Sequence, residues 1–91
     1  CQLYAKSRGR VTLRSPDPAD APRIALNLFS HEDDFRTMRA GLRAARALYA
    51  TPPLAGLVEA ETLPGGALRS DGELDAAIRA LGGITHHPVG T

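Results

Sequence analysis

Two adjacent histidines, His86 and His87, are the residues of this sequence whose type and surroundings are best suited to chemistry. Pro88 fixes its own φ angle and favours an extended conformation for the residue before it. Gly90 permits a close approach of the backbone to a ligand, or an unusual dihedral angle. Imidazole titrates close to neutral pH, as a general base requires. His87, held at a fixed angle by this segment, is therefore a candidate proton acceptor.

Other interpretations of the same pair stay open on the residues alone. A solitary surface histidine is usually only solvated. Two adjacent histidines seldom bind one metal ion, because their side chains diverge in extended backbone. Cys1 and His31 complete the cysteines and histidines of the chain, and their spacing does not resemble a zinc site. We therefore expect no metal site.

Four arginines recur three or four residues apart and so share one side of a helix: Arg36, Arg39, Arg43 and Arg46. A basic helix face can bind nucleic acid or a membrane surface. However, Glu32 and Asp33 lie one turn before Arg36, within reach of ion pairing, and no aromatic residues interleave with the arginines. The chain has 11 basic and 10 acidic residues, so we expect a solvated or ion-paired face and no nucleic-acid partner.

Two glycine pairs, Gly65-Gly66 and Gly82-Gly83, lack the pattern of a phosphate-binding loop. Neither pair follows a predicted strand in a G-x-G-x-x-G or G-x-x-x-x-G-K arrangement. The residue types of a Ser-His-Asp triad are present, but no such arrangement can be assembled from the sequence. The chain therefore offers no dinucleotide cradle and no support for a hydrolase.

The size and composition of the chain allow one domain with a modest core. Of its 91 residues, 43% are apolar and only 4% are aromatic, so alanine and leucine supply most of the apolar area. The single cysteine, Cys1, has no disulfide partner within the chain. No run of about 20 apolar residues and no signal-peptide pattern is present. We expect a marginal unit that is more stable when packed against something else.

Two short extended segments are predicted first. Residues 11–15 alternate apolar and polar side chains and include β-branched ones, which predicts a half-buried strand. Gly9 suits a bend or bulge where this strand begins. Residues 15–20 contain two prolines and two aspartates and favour a turn. Residues 22–26 are a candidate second strand.

A long helix is predicted after Ser30, whose side chain is a good N-cap. Apolar residues recur along one face of this helix, namely Phe35, Met38, Leu42, Ala45 and Tyr49. Residues 51–53 disfavour helix, so the helix should end near Ala50. Residues 54–63 are ambiguous between a short helix and a strand, and residues 64–66 favour a turn.

A second helix is predicted from the capping-box pattern of Ser70 and Glu73, whose side chains can satisfy each other's backbone donors. Its expected buried stripe consists of Leu74, Ala77, Ile78 and Leu81. Gly82 or Gly83 is expected to end the helix in a left-handed conformation. The chain then enters the histidine pair.

Taken in order, several of these segments resemble one known family. A strand and turn of the pattern SRG-x-V-x-L-x-S-x-DP is matched by residues 7–13 with Ser15, Asp17 and Pro18. The same order continues through residues 22–27, residues 30–34, residues 52–54, residues 64–65, the Ser70 capping box and residues 87–91. This set covers nearly the whole chain. It resembles the glucose–methanol–choline (GMC) family of flavin-dependent alcohol oxidoreductases, and most of all its bacterial choline dehydrogenase-like branch.

The resemblance implies an α+β fold, as an incomplete part of the carboxy-terminal, substrate-binding domain, in which a mostly antiparallel sheet is backed by helices. It implies FAD as the cofactor, bound in a separate Rossmann-like domain absent from residues 1–91. The intact enzyme would oxidise a CH–OH group to a carbonyl by hydride transfer to the flavin N5. We expect the 91-residue chain alone to be inactive. The parent would be a bacterial enzyme, cytoplasmic or membrane-associated.

The resemblance assigns the family's catalytic histidine to His87, which would accept the hydroxyl proton or stabilise the developing alkoxide. It assigns His86, Pro88 and Val89 to the neighbourhood of the flavin. Thr85-His86 departs from the commonest lead-in to the motif, which has an aromatic residue at position 86. The expected partners are an alcohol substrate and the remainder of the parent enzyme. The competing hypothesis is a non-catalytic, helix-rich interaction module whose apolar stripes dock on a partner chain.

Overall fold

The computed structural model describes residues 4–84, which contain two α-helices and a two-stranded antiparallel sheet. The elements follow in the order β1 (Arg10–Thr12), β2 (Arg23–Ala25), α1 (Glu32–Tyr49), a 3-10 turn (Leu54–Gly56) and α2 (Asp71–Leu81). This content agrees with the predicted α+β class, in the form of an incomplete domain. Within the described residues, no helix has the length and apolar character needed to cross a membrane.

Both predicted extended segments contain a strand, and the two strands pair with each other, but they are shorter than expected and are exposed, whereas the first was predicted to be half-buried. β1 ends at Thr12, three residues before the predicted end at Ser15. The hydroxyl of Ser15 donates to the Asp20 carboxylate at 2.6 Å and accepts the backbone N–H of Asp17 at 3.0 Å. These side-chain bonds support the turn locally, so the chain leaves the ladder early.

Gly9 lies at the entrance to the ladder, in which Val11 is opposite Ile24. The backbone at the end of β2 passes so close that a Cβ atom at position 9 would lie 2.3 Å from the carbonyl oxygen of Ala25 and 2.6 Å from that of Leu26. A backbone carbonyl cannot move aside as a flexible side chain can. Glycine is therefore required here by the close approach of two backbone segments.

α1 is capped by His31, which corrects the predicted Ser30 cap. The Nδ1 atom of His31 accepts the backbone N–H of Asp33 at 3.1 Å. The N–H of Ser30 donates instead to the Oγ atom of Ser7 at 2.9 Å. The helix therefore begins one residue later than expected, with Ser30 outside it and bound to an earlier part of the chain.

The apolar stripe of α1 is covered only in its first half. The buried and half-buried members are Phe35, Met38 and Leu42. Ala45 is exposed and Tyr49 is 54% exposed, so the predicted stripe is wrong there. α1 has 18 residues and α2 has 11, so at about 1.5 Å of rise per residue the second helix cannot cover the first. The predicted end near Ala50 is confirmed, because Ala50 is the C-cap.

α2 begins with the predicted capping box. The Oγ atom of Ser70 accepts the N–H of Glu73 at 3.3 Å, and the Glu73 carboxylate accepts the N–H of Ser70 at 2.9 Å. These bonds to the Glu73 carboxylate, first of all the one from the Ser70 backbone, hold its pKa below the ordinary value.

The end of α2 differs from the prediction. Gly82 caps the helix in an extended conformation, with φ −69° and ψ 141°, and Gly83 is not left-handed either. The requirement for glycine at position 82 is steric instead, because the ring of Phe29 lies where a Cβ atom would be. Leu74 and Ile78 are buried as predicted, but Leu81 is 54% exposed because it borders an open groove between the helices.

Residues 61–68 are held against α1 by one arginine, Arg46. Its Nε and Nη2 atoms each donate to the Glu61 carboxylate at 2.7 Å, which makes a bidentate ion pair. The same guanidinium donates to the carbonyls of Leu68 at 2.9 Å and Gly65 at 3.1 Å. The segment that was ambiguous in sequence is thus a 3-10 turn, followed by irregular chain that a single guanidinium group organises.

We expect Gly9→Ala to destabilise the fold, because the methyl group would collide with the carbonyls at the end of β2. The cost should be about 1–3 kcal/mol, the usual range for overpacking. Gly41→Ala is the matched control, since a Cβ atom at this position of α1 has open space around it, and it should gain about 0.5–1 kcal/mol. Urea denaturation of both variants measures the two effects. Equal effects at the two positions would contradict the steric argument.

Glu61→Gln should remove an acid-sensitive part of the stability. Arg46 lowers the pKa of Glu61 in the folded state, so the pair stabilises fully above the ordinary pKa of a glutamate and loses its effect as the pH falls through the lowered value. Below about pH 4, the free energy of unfolding should therefore fall more steeply for the wild type than for Glu61→Gln. Glu59→Gln, at an exposed position two residues away, should follow the wild type. A wild-type slope in Glu61→Gln would argue against this assignment.

Candidate functional site

The four residues predicted to form the site, His86, His87, Pro88 and Val89, lie outside the described residues. The description ends at Ile84, three residues before His87. The described residues form the framework that precedes the predicted site in the chain and in part packs next to its start. This framework consists of the residues before β1, the bend between β2 and α1, and the carboxyl end of α2.

The first part of the framework is a clamp between Ser7 and Asp34. The Asp34 carboxylate, only 1% exposed, accepts the backbone N–H groups of Lys6 and Ser7 at 2.8 Å each and also the Ser7 hydroxyl. The Ser7 oxygen in turn accepts the N–H groups of Ser30 at 2.9 Å and His31 at 3.2 Å. One serine thus satisfies two backbone donors next to the start of α1 and ties them to the segment before β1.

Sequence reasoning missed the role of Asp34. Asp34 lies with Glu32 and Asp33 in the first turn of α1, where the helix dipole favours acidic side chains. That general preference does not distinguish the one carboxylate that turns inward. The available signal was the partner motif, because Ser7 belongs to the first segment that resembles the family.

The second part of the framework is a tight bend between β2 and α1. Asn27 has φ 50° and Phe29 has φ 54°, so two non-glycine residues occupy the left-handed region within three positions. The Asn27 side chain donates to the carbonyl of Arg8 at 3.0 Å. Asparagine tolerates this region, but for a bulky aromatic residue it is a true outlier, which the surrounding contacts must maintain.

The bend directs the ring of Phe29 towards the two helices. Its centroid lies 5.5 Å from that of Phe35, with the planes tilted by 35°. The guanidinium carbon of Arg79, on α2, lies 4.4 Å from the centre of the Phe35 ring, a cation–π contact. A Cβ atom at position 82 would lie 2.4 Å from the ring of Phe29. Aromatic side chains from the bend and from α1 therefore meet α2 at its carboxyl end.

The basic side of α1 is ion-paired, as one form of the sequence prediction stated. Arg39, whose side chain is 9% exposed, binds Glu32 and Asp75 at 2.7 Å each and lies 3.5 Å from Asp71. Hydrogen bonds to Glu32 and Asp75 raise the pKa of Arg39. Asp71 also binds Arg43, which holds the pKa of that carboxyl below its ordinary value. Arg39 and Arg43 thus join α1 to α2 instead of presenting free charge.

A third ion-pair group lies beside the Ser7–Asp34 clamp. Lys6 approaches the Asp33 carboxylate at 3.0 Å and Arg36 approaches it at 2.7 Å. These charges, with the hydrogen bond from Lys6 the largest cause, hold the pKa of Asp33 below its ordinary value. Lys6 and Arg36 are mostly exposed, so this group contributes orientation more than stability.

The glycine pairs of the described chain do not form a cradle for a dinucleotide. Such cradles place backbone N–H groups at the beginning of a helix. Gly82 and Gly83 instead follow the end of α2, and Gly82 is packed against Phe29. Gly65 has φ 110° in a turn whose carbonyl binds Arg46, several residues before α2 begins. Neither glycine pair is therefore placed as a phosphate-binding loop.

The chain is similar to known proteins over nearly its whole length. A family model described as GMC oxidoreductase matches residues 5–91. An alcohol dehydrogenase (acceptor) from Pseudomonas putida is 43% identical over 91 residues, which are 100% of this chain and 16% of that protein. Oxygen-dependent choline dehydrogenases from Stenotrophomonas maltophilia and Brucella ovis are 43% and 39% identical, over 94% and 98% of this chain and 15% and 16% of those proteins.

The chain spans about one sixth of the length of the curated relatives it matches. The family model covers every element described above, from the segment that holds the Ser7–Asp34 clamp to the end of α2, and continues through the histidine segment. The relatives agree with it over nearly all of the chain. The chain therefore belongs to the GMC oxidoreductase family.

Proposed function

We propose that the chain is part of the substrate-binding domain of an FAD-dependent, choline dehydrogenase-like enzyme that oxidises the CH–OH group of an alcohol to a carbonyl. The observation that carries this proposal is the family match, which runs through residues 87–91. The names of the similar proteins, choline dehydrogenases and an alcohol dehydrogenase, support the reaction class. In the complete domain, β1 and β2 would be two strands of a larger, mostly antiparallel sheet.

His87 is the proposed base of this reaction. It would accept the proton of the substrate hydroxyl, or stabilise the alkoxide that forms as this proton leaves. Bound FAD would supply the acceptor for the hydride that leaves the same carbon. Pro88 would hold the backbone of His87 extended, and Gly90 would allow the segment to approach the substrate closely.

The flavin would be bound by parts of the parent protein outside this chain. The described residues have no cradle for its phosphates, as the positions of Gly65 and Gly82 indicate. His86, Pro88 and Val89 are proposed to lie near the flavin ring, where they would shape the pocket more than hold the cofactor. We therefore propose that residues 1–91 alone neither bind FAD nor oxidise an alcohol.

The remainder of the parent is also the proposed partner of the exposed apolar surface. Large apolar side chains are exposed on the hairpin and on both helices, among them Val11, Ile24, Leu48, Tyr49 and Leu81. An isolated module that docks on a separate protein would expose similar side chains. Membership of the family favours the rest of the same polypeptide as the partner, because the relatives contain about six times as many residues as this chain covers.

In the FAD-loaded parent enzyme, His87→Ala should lower kcat by about 10²–10⁴-fold, the usual contribution of a positioned acid–base group. The loss should become smaller at acid pH, where a protonated imidazole can no longer accept a proton. Steady-state assays with choline and with a simple primary alcohol would measure it. His31→Asn is the control, since asparagine is a good N-cap and His31 caps α1. An unchanged turnover in His87→Ala would remove His87 from the mechanism.

The intact mass and the visible absorption spectrum of the purified natural protein would test whether the FAD site lies in the remainder of the parent. We expect a mass well above 9.6 kDa together with a flavin spectrum, because the FAD site is assigned to the rest of the parent. The 91-residue chain supplied with FAD should show neither a bound-flavin spectrum nor alcohol-dependent reduction of a dye. Turnover by that chain would overturn the assignment of FAD binding to the remainder.

A further inference from the structure

We propose that Phe29 is a positioning residue for the reaction: its ring fixes the carboxyl end of α2 and, through it, the placement of the segment that carries His87. This inference rests on the proposed role of His87. It adds a residue that lies 58 positions earlier in the chain and that the motif does not include.

The first support is the backbone of Phe29 itself. Its φ angle of 54° lies in the left-handed region, which is costly for a bulky aromatic residue. Such a conformation persists only when the surrounding structure requires it. Here, the Asn27 side chain holds the bend by its bond to the Arg8 carbonyl, and the N–H of Ser30, the next residue after Phe29, donates to Ser7. Both sides of the strained residue are therefore anchored.

The second support is the direction in which the strain places the ring. Phe29 packs against Phe35 at 5.5 Å, and Phe35 is 3% exposed. Arg79 covers the other aromatic ring, that of Phe35, at 4.4 Å. The ring of Phe29 is therefore backed by a buried neighbour that itself contacts α2, so it has little freedom to move away from the end of that helix.

The third support is the contact at Gly82. An added Cβ atom there would lie 2.4 Å from Cε2 and 2.7 Å from Cζ of Phe29, so ring and backbone are in close contact. Gly82 is the C-cap of α2 and has an extended conformation, which sets the direction of the chain as it leaves the helix. The Phe29 ring, which contacts Gly82, therefore restricts the direction of the chain just after α2, where helical hydrogen bonds no longer restrict it.

The step to function is short along the chain. His87 follows Gly82 by five positions. An altered exit direction at Gly82 would displace His87, and a displacement of about 1 Å at a reacting group can cost about 100-fold in rate. Phe29 would thus act on the reaction through the chain direction at Gly82 and would not touch the substrate.

The test uses the FAD-loaded, full-length enzyme. Phe29→Ala should lower kcat by about 10–100-fold, with KM for the alcohol within about twofold and the FAD content unchanged. Phe29→Leu, which keeps an apolar side chain of similar reach, should lower kcat by less. Leu28→Ala is the matched control, since this neighbour is 39% exposed and lies outside the aromatic cluster, and it should retain wild-type kcat.

A second-site experiment tests the contact itself. Gly82→Ala should lower kcat, because its methyl group meets the ring of Phe29 and the carbonyl of Ile78. Adding Phe29→Leu removes the ring atoms in question, so the double variant should have a higher kcat than Gly82→Ala alone. Recovery will be partial, because the contact with the Ile78 carbonyl stays. Strict additivity of the two losses would overturn the coupling between these positions.

The outcomes separate this inference from the proposed function. If His87→Ala lowers kcat but Phe29→Ala and Phe29→Leu leave it unchanged, positioning by Phe29 is overturned and the proposed function stands. If kcat, KM and FAD content all change together in Phe29→Leu, the role is general folding and the inference also fails. If His87→Ala has no effect, both fail. If Phe29→Ala does not load FAD, the inference is tested with the other two variants. It stands if Phe29→Leu has a lowered kcat and the double variant has a higher kcat than Gly82→Ala, and it fails otherwise.

Discussion

A buried carboxylate is the constraint on which the rest of this structure depends. Asp34 is almost inaccessible, and an uncompensated charge in that place would be strongly destabilising. It is compensated by backbone N–H groups of Lys6 and Ser7 and by the Ser7 hydroxyl, all from a segment that precedes the sheet. The beginning of the described chain is therefore tied to the first turn of α1. The hairpin between them becomes a closed loop whose ends cannot separate without exposing that charge.

The other main contacts follow from this closure. With both ends of the hairpin fixed, the chain must return to α1 through a very short bend, and Asn27 and Phe29 adopt left-handed conformations to do so. The bend brings an aromatic ring to α1 and to the end of α2. The helices themselves are joined by the ion pairs of Arg39 with Asp75 and of Arg43 with Asp71, beside a small apolar core of Phe35, Leu74 and Ile78. Polar groups with defined partners hold the framework in one arrangement.

Features set by interactions within a few residues could be predicted from the sequence, and features set by contacts between distant segments could not. Patterns that act within a few residues were predictable: the Ser70–Glu73 capping box, the end of α1 at Ala50 and the presence of two short extended segments before α1. Errors arose at residues that contact distant segments. Ser30 has the chemistry of an N-cap, but it lies before the helix with its N–H bound to Ser7, and the side chain of His31 caps α1. Gly82 has the chemistry of a left-handed terminator, but a ring from 53 residues earlier accounts for its lack of a side chain.

The arginine–carboxylate pairs have a consequence for how this sequence can change over time. Arg39 binds carboxylates from both helices, and Arg46 binds one carboxylate and two carbonyls of a loop that has little other support. A neutral replacement of one partner leaves the other charge without compensation, whereas a coordinated replacement of both by apolar residues leaves none. On physical grounds, such positions therefore favour paired replacements over single ones. Changes at the contact between α1 and α2 would then be linked to one another. In the exposed second half of α1, substitutions would instead depend on the surface that packs against it.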